Sequence, residues 1–248
     1  CRTRIYVDTG PILEKPLAQQ AGLGWIGKHT NLLTQSTGSW YFLSEILTDI
    51  TLSPSQPADD HCGTCTSCID ICPTDAIIAP YVLDSKRCIS YLTIELKGVI
   101  PVEYRKAIGN RIYGCDDCQI VCPWNSHVVK TDDPDFQQKQ DTLKLMDLIQ
   151  ISQEMFSQRF KGSPIKRIKR RGLLRNVAVA LGNSGNRQAI PILLKVLDDE
   201  EPLIRAHVVW ALGELSGPEV LPVIREKMNN EKEKIVLEEL AKVVARFA

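Results

Sequence analysis

No run of 18 or more consecutive apolar residues occurs in these 248 residues, so no segment is built to cross a bilayer as a helix. Net charge is lacking too. Lys plus Arg and Asp plus Glu are both 30, and the chain as a whole has no electrostatic bias toward nucleic acid or a membrane surface. The start, Cys1-Arg2-Thr3-Arg4-Ile5, has neither an initiator Met nor the apolar stretch of a signal peptide. It reads as a cut into the middle of a domain. These absences give the expectation of a cytoplasmic, water-soluble protein, long enough to bury a core without disulfide staples.

What the sequence does have is cysteine. Nine occur, and eight form a ladder: Cys62-x2-Cys65-x2-Cys68-x3-Cys72-Pro73, then Cys88, then Cys115-x2-Cys118-x3-Cys122-Pro123. In the bacterial ferredoxin run three closely spaced thiolates hold one iron–sulfur cubane, and the cysteine before proline reaches across to another. Crossing assigns Cys62, Cys65, Cys68 and Cys122 to one [4Fe–4S] cluster. Cys72, Cys88, Cys115 and Cys118 are left for a second, with Cys88 displaced upstream by a long insertion. Three other readings compete. Zinc knuckles would use separated C-x2-C pairs rather than this continuous run. A disulfide framework calls for oxidising surroundings and an even count. Inert buried thiols would not be spaced so regularly.

The fold class expected is α+β, mostly α. Residues 1–57 read as an α/β piece: a strand at Ile5-Tyr6-Val7, a turn at Asp8-Thr9-Gly10-Pro11, a helix from Ile12 to Gln20 and a buried strand at Trp40-Tyr41-Phe42-Leu43. The segment Gly22-Leu23-Gly24-Trp25-Ile26-Gly27-Lys28 is glycine-rich, and its glycines would let backbone approach a bulky ligand; a plain turn is the competing reading. Residues 58–126 are expected to form a ferredoxin-like two-cluster domain, with a short helix after each C-P, the first being Thr74-Asp75-Ala76-Ile77. A helical connection with apolar Leu143, Leu145, Met146, Leu148 and Ile149 spans 127–164. From 165 to 248 the chain repeats. Ala180-Leu181-Gly182 recurs at Ala211-Leu212-Gly213, Pro191 at Pro222 and Ile204 at Ile235. A unit of this length, made of two helices, marks a HEAT-type solenoid.

One stretch departs from the neutral balance. Between Phe156 and Arg175 stand Arg159, Lys161, Lys166, Arg167, Lys169, Arg170, Arg171 and Arg175, with no acid among them. Such a concentration reads as a phosphate-binding face, against the alternative of a solvated helix start.

Longer motifs narrow the field. Val7-Asp8-Thr9-Gly10-Pro11-Ile12-Leu13-Glu14, Gly22 to Lys28, His61-Cys62-Gly63-x-Cys65, Cys88-Ile89-Ser90-Tyr91-Leu92-Thr93-Ile94-Glu95 and Gly114-Cys115-Asp116-Asp117-Cys118 through Asn125 resemble the epoxyqueuosine reductase family. The resemblance implies that residues 1–57 are the C-terminal part of a cobalamin-binding catalytic domain. It implies a cofactor set of cobalamin and two [4Fe–4S] clusters, and reduction of epoxyqueuosine to queuosine at the wobble position of tRNA. Asp8 falls on the family's proton donor; by spacing alone it would be a turn-capping residue. Gly24, Trp25, Gly27, Lys28, Ser90, Cys115 and Asp116 are the expected cofactor contacts. Lys97, Lys166, Arg167, Lys169, Arg170 and Arg171 are the expected tRNA contacts. No D-x-H-x-x-G motif supplies a lower imidazole, since Asp59-x-His61 continues as Cys62-Gly63-Thr64, so the corrin is expected base-off. The partners implied are tRNA and a low-potential electron donor, flavodoxin or ferredoxin, with no membrane and a monomeric state. Two functions from other classes share features: a reductive dehalogenase-like corrinoid enzyme, and a ferredoxin-type electron carrier with a HEAT interaction arm.

Overall fold

The structure is a computed structural model, and it describes residues 1–8, 10–129, 131–137 and 144–247. Thr9 of the turn motif and Leu143 of the amphipathic pattern lie outside the described residues. The chain forms two compact units, Cys1–Ser85 with Asp116–Gln138, and Lys86–Cys115 with Lys139–Ala248. Among the described residues no helix is long and apolar enough to cross a membrane.

In the first unit β1 (Thr3–Tyr6) pairs antiparallel with β4 (Glu45–Thr48), Thr3 opposite Thr48. The helix α1 (Glu14–Gln20) follows, closed by Ala21 and by Gly22 at φ +74°, a left-handed position that a glycine takes without strain. A tight hairpin of β2 (Trp25–Ile26) and β3 (Leu32–Leu33) buries Trp25 and Leu33 completely. The strand expected at Trp40–Leu43 instead forms five residues later, as β4. Trp40 and Phe42 are exposed, and Phe42 stacks on Phe136 with ring centroids 6.0 Å apart. Of the short helices expected after each C-P, the second forms as the 3-10 turn Pro123–Asn125, and the first, at Thr74–Ile77, does not. The one-turn helices α2 (Ser67–Asp70) and α5 (Asp117–Ile120) lie before the prolines, each starting one residue ahead of the first cysteine of its C-x3-C, and contact one another. Thr74 to Ile77 is a turn with Asp75 at φ +49°, leading into the hairpin β5 (Ile77–Ala79) and β6 (Val82–Leu83). The reason is local: this turn aims the Ala76 N–H at Cys72 Sγ, 3.2 Å away, a contact a helix would not provide.

The second unit has one continuous core. The helices α3 (Ile89–Ile94) and α4 (Val102–Ile108), from the insertion between the two halves of the cysteine ladder, are buried in it. So are α6 (Leu145–Leu148), α7 (Gln153–Arg159), α8 (Lys169–Asn183), α9 (Ile190–Val196), α10 (Pro202–Leu215), α11 (Leu221–Asn230) and α12 (Lys234–Phe247), with α10 packed on α8, α9 and α12, and α11 on α12. The repeated glycine has a packing reason. A Cβ on Gly182 would sit 2.6 Å from the Trp210 ring and one on Gly213 2.8 Å from Val243. Only hydrogen there lets successive repeats touch closely.

Residues 86–115, within the stretch expected as a ferredoxin-like domain, fall in the same compact unit as the helical repeats. Polar side chains of the repeats explain why. Arg175, 1% exposed, donates to the carbonyls of Leu92 and Leu96 at 2.7 Å and of Gly98 at 2.9 Å. Asn176 donates to Thr93 and Ile112, and Asn183 to Arg105 and Gly109. Arg105 forms a buried two-pronged pair with Glu239 at 2.8 and 3.0 Å.

Candidate functional site

Four of the eight ladder cysteines come together in the first unit. Cys62, Cys65, Cys68 and Cys122 line one cavity of about 260 Å³, walled further by Lys28, His29, Leu33, His61 and Trp124. Local structure does the gathering. The Cys65 N–H bonds back to the Cys62 carbonyl at 3.2 Å, α2 carries Cys68 one turn on, and Cys122 is the N-cap of the 3-10 turn Pro123–Asn125 after α5. Burial, then the neighbouring Cys122 and Cys62, push the Cys68 thiol up to about 11. Burial likewise raises Cys122. The side chain and backbone of Ser67 lower the more exposed Cys65, whose Sγ lies 3.4 Å from Ser67 Oγ. Among the described residues no three His, Cys, Asp or Glu side chains converge as a single metal ion requires. The four thiols surround a space instead, which suits the corners of a cubane.

The glycine-rich segment borders this cavity. Lys28, 8% exposed, donates from Nζ to the carbonyls of Gly63 at 2.7 Å and Cys65 at 2.8 Å. It pins the Cys62–Cys65 turn and sets a buried cation beside thiolates whose charge needs offsetting. Trp25 stands edge-on to His61 at 4.8 Å and to Trp124 at 5.0 Å. A Cβ on Gly24 would lie 2.0 Å from the Leu33 carbonyl oxygen, and one on Gly27 2.6 Å from Leu33 Cδ1 and 3.6 Å from Cys62 Sγ. The hairpin side of these glycines is thus closely packed. The space beside them is filled by the β2–β3 hairpin and the thiol wall. A second cleft of about 280 Å³ borders Gly22, Leu23, Gly24 and Trp25. Both volumes fall below the roughly 300–1,000 Å³ of pockets for drug-sized ligands, so neither encloses a corrin.

The remaining expected residues are placed as follows. Cys72 and Cys118 belong to the first unit, Cys88 and Cys115 to the second. Cys88 caps α3, which carries half-buried Ser90; the Gly114 N–H beside Cys115 donates to Thr93 Oγ1 at 3.0 Å. Asp116 caps α5 and accepts from Gln119 Nε2 at 3.3 Å. Asp8 is exposed, in the turn after β1, with φ +55°. Asp and Asn tolerate that left-handed region better than other side chains. Gly10 follows because a Cβ there would meet the Tyr6 ring at 2.4 Å.

The basic run resolves into two groups. Lys166, Arg167 and Lys169 are exposed, with Arg159, Lys161 and Lys97 exposed in the same unit. Arg170 is turned inward, donating to the Ile151 carbonyl at 2.7 Å and forming an ion pair with Asp199. Arg175 is buried, and burial lowers it to about 10. Arg171 is half-buried, and Arg167 pairs with Glu95 at 2.8 Å. The acids missing from the local sequence are supplied by Glu95 and Asp199. Arg170 and Arg175 are thereby withdrawn from any phosphate-facing surface.

His29 escaped the sequence reading. It is 3% exposed on the cavity wall. Burial, then the nearby Lys15 ammonium, holds its imidazole down at about 4. No spacing marked it.

Residues 61–125 match the family described as 4Fe-4S double cluster binding domain, and residues 171–245 match HEAT repeats. An epoxyqueuosine reductase of Xanthomonas campestris pv. campestris is 52% identical over 214 residues, 85% of this chain and 60% of that protein. A solved selenomethionine-labelled epoxyqueuosine reductase superposes with TM-score 0.94 at 34% identity, covering 100% of this chain and 66% of the other. An epoxyqueuosine reductase solved with an epoxyqueuosine-modified tRNA-Tyr stem loop gives 0.93 at 34% identity, over 98% and 66%. The chain thus spans about 60% of the length of the Xanthomonas relative.

Proposed function

Since this chain belongs to the epoxyqueuosine reductase family, we propose that it is part of an oxidoreductase converting epoxyqueuosine to queuosine at the wobble position of tRNA, the last step of queuosine synthesis. The observation that carries the reading is the cavity lined by Cys62, Cys65, Cys68 and Cys122. These residues would hold a [4Fe–4S] cluster, which supplies electrons one at a time when bound. Cys72, Cys88, Cys115 and Cys118 are the ligand set proposed for a second. Lys28 offsets the thiolate charge, and the Trp25, Leu33 and Trp124 wall covers the buried Cys68 and Cys122.

Removing an epoxide oxygen as water consumes electrons and protons in equal number. Asp8 is the proposed proton donor to the departing oxygen: its left-handed turn presents a short acid at the tip of a loop, as an acid that must meet substrate requires. Cobalamin is the further cofactor proposed, with Gly24, Trp25, Gly27, Lys28, Ser90, Cys115 and Asp116 as its expected contacts. The cavities beside the glycine-rich segment are too small to enclose it, so no step is derived through it. The tRNA backbone is proposed to lie along Lys97, Lys166, Arg167, Lys169 and Arg171, without Arg170. Electrons come from a low-potential flavodoxin or ferredoxin, and the protein acts as a monomer in the cytoplasm.

The test uses the full-length protein, anaerobically reconstituted, with epoxyqueuosine-containing tRNA and a chemical reductant. Queuosine should form, and Cys122→Ser should lose both iron and product. Reconstituted protein that holds its iron and leaves the tRNA unchanged overturns the proposal.

A further inference from the structure

Two imidazoles, His29 and His61, stand on the wall of the thiol cavity. The Asn31 N–H donates to His29 Nδ1 at 3.1 Å, so Nδ1 is an acceptor and carries no proton. In the neutral ring the proton is then on Nε2. That atom is fully buried and finds no acceptor among the protein's own atoms. A buried N–H without a partner is costly enough that native proteins almost always supply one. The ring lines a cavity whose other polar side chains are Lys28, His61, Ser67 and the four cysteines. Lys28 Nζ is bonded to the Gly63 and Cys65 carbonyls and Ser67 Oγ sits 3.4 Å from Cys65 Sγ, which leaves the sulfurs of Cys62, Cys65, Cys68 and Cys122 as the acceptors. His29 also lies against the backbone that carries the cavity: a Cβ on Gly27 would fall 3.3 Å from His29 Cε1 and 3.6 Å from Cys62 Sγ. The Lys15 ammonium, bonded to Thr30 O at 2.9 Å and Asn31 Oδ1 at 3.3 Å, stiffens the turn that aims the ring. His61, the other imidazole on the wall, already has its Nε2 engaged by Gln35 at 2.8 Å.

We infer that His29 donates a hydrogen bond from Nε2 to a sulfur of the cluster held by Cys62, Cys65, Cys68 and Cys122. This rests on the cluster reading of that cavity. The residue is not a ligand; it tunes the group. Hydrogen bonds to the sulfurs are among the factors that set iron–sulfur potentials. A donor favours the more negatively charged, reduced state, so His29 raises the reduction potential of this cluster. The turn Lys28-His29-Thr30-Asn31 thereby serves twice, with Lys28 pinning the Cys62–Cys65 backbone and His29 reaching the sulfur.

The experiment is a redox titration of full-length, anaerobically reconstituted protein followed by EPR, with iron counted in every sample. His29→Asn keeps an acceptor near the Nδ1 position for Asn31 and removes the distal donor. His29→Gln keeps a donor near Nε2. His29→Asn should hold wild-type iron yet be about tenfold harder to reduce, about 59 mV for a one-electron couple, and His29→Gln should restore most of that. Wild-type iron with an unmoved potential in His29→Asn overturns the inference and leaves the cluster reading standing. A Cys122→Ser protein with wild-type iron and an unchanged spectrum sinks the cluster reading and the inference with it. If neither His29 variant loads iron, pulsed EPR of reduced His61→Phe protein labelled with 15N-histidine decides. A coupling from the cluster to a histidine nitrogen supports the bond, and its absence overturns it.

Discussion

At the scale of single residues, position and chemistry separate roles that spacing leaves merged. Asp8 at φ +55° suits both a turn residue and a proton donor. Asp8→Asn keeps the shape and the left-handed tolerance, so in the full-length enzyme it should leave iron content near normal and cut turnover by on the order of 10², the scale of losing a general acid. Near wild-type turnover would leave only the turn role. Gly24 makes the opposite case. With the Leu33 carbonyl 2.0 Å from where a Cβ would stand, Gly24→Ala must move backbone. It should lower the unfolding midpoint by an overpacking cost of about 1–3 kcal/mol, measured by denaturant titration. The cysteines were legible because C-x2-C-x2-C-x3-C-P is a spacing with one dominant chemistry. His29 was not, because its significance lies in a tautomer fixed by the Asn31 N–H two residues on, which no pattern of residue types encodes.

At the scale of elements, the insertion helices α3 and α4 are held by groups from α8, α10 and α12. His207 is fully buried, donating from Nδ1 to Leu203 O at 2.8 Å and accepting at Nε2 from the Ile100 N–H at 3.1 Å. It is neutral when folded, and burial, then Arg105, hold it well below its ordinary 6.5. The unfolded chain therefore binds more protons below that pH, and stability falls as pH drops through 6.5. Thermal unfolding between about pH 5 and 8 should show this slope, and His207→Gln should flatten it. Removing Glu239 strands the buried Arg105 guanidinium, so Glu239→Ala should cost about 3–5 kcal/mol in the same assay. The repeat was readable because Ala-Leu-Gly recurs wherever helices cross closely. The helix expected after the first C-P was misplaced because α propensity at Thr74–Ile77 yields to the Asp75 turn that wraps the Cys72 sulfur, whereas the second forms as the 3-10 turn Pro123–Asn125. The strand expected at Trp40–Leu43 was misplaced because an apolar run there reads as buried, whereas Phe42 is 83% exposed and stacks on Phe136.

At the scale of the molecule, the order of motifs along the chain was legible, and the packing of residues 86–115 against the repeats was not. Residues 86–115 sit between cysteines of one ladder yet share the core of the repeats, a long-range match of Ile89, Leu92, Ile100 and Ile108 with Leu173 and Val177. The same folding turns a run of eight cations into structural and exposed groups. Neutral replacements of Lys166 and Lys169 should weaken binding of all cognate tRNAs alike and flatten the salt dependence, as loss of phosphate contacts does. Arg170→Ala should destabilise the second unit instead and leave the salt slope unchanged. The central claim is that Cys62, Cys65, Cys68 and Cys122 hold one cluster, with the crossing cysteine drawn from the second half of the ladder. The direct measurement is Mössbauer spectroscopy of 57Fe-reconstituted full-length protein carrying Cys68→Ser, Cys122→Ser or Cys72→Ser. The first two should lose the same cluster signal, and Cys72→Ser should retain it. Loss of one shared signal in Cys68→Ser and Cys72→Ser, with Cys122→Ser retaining it, would contradict the assignment.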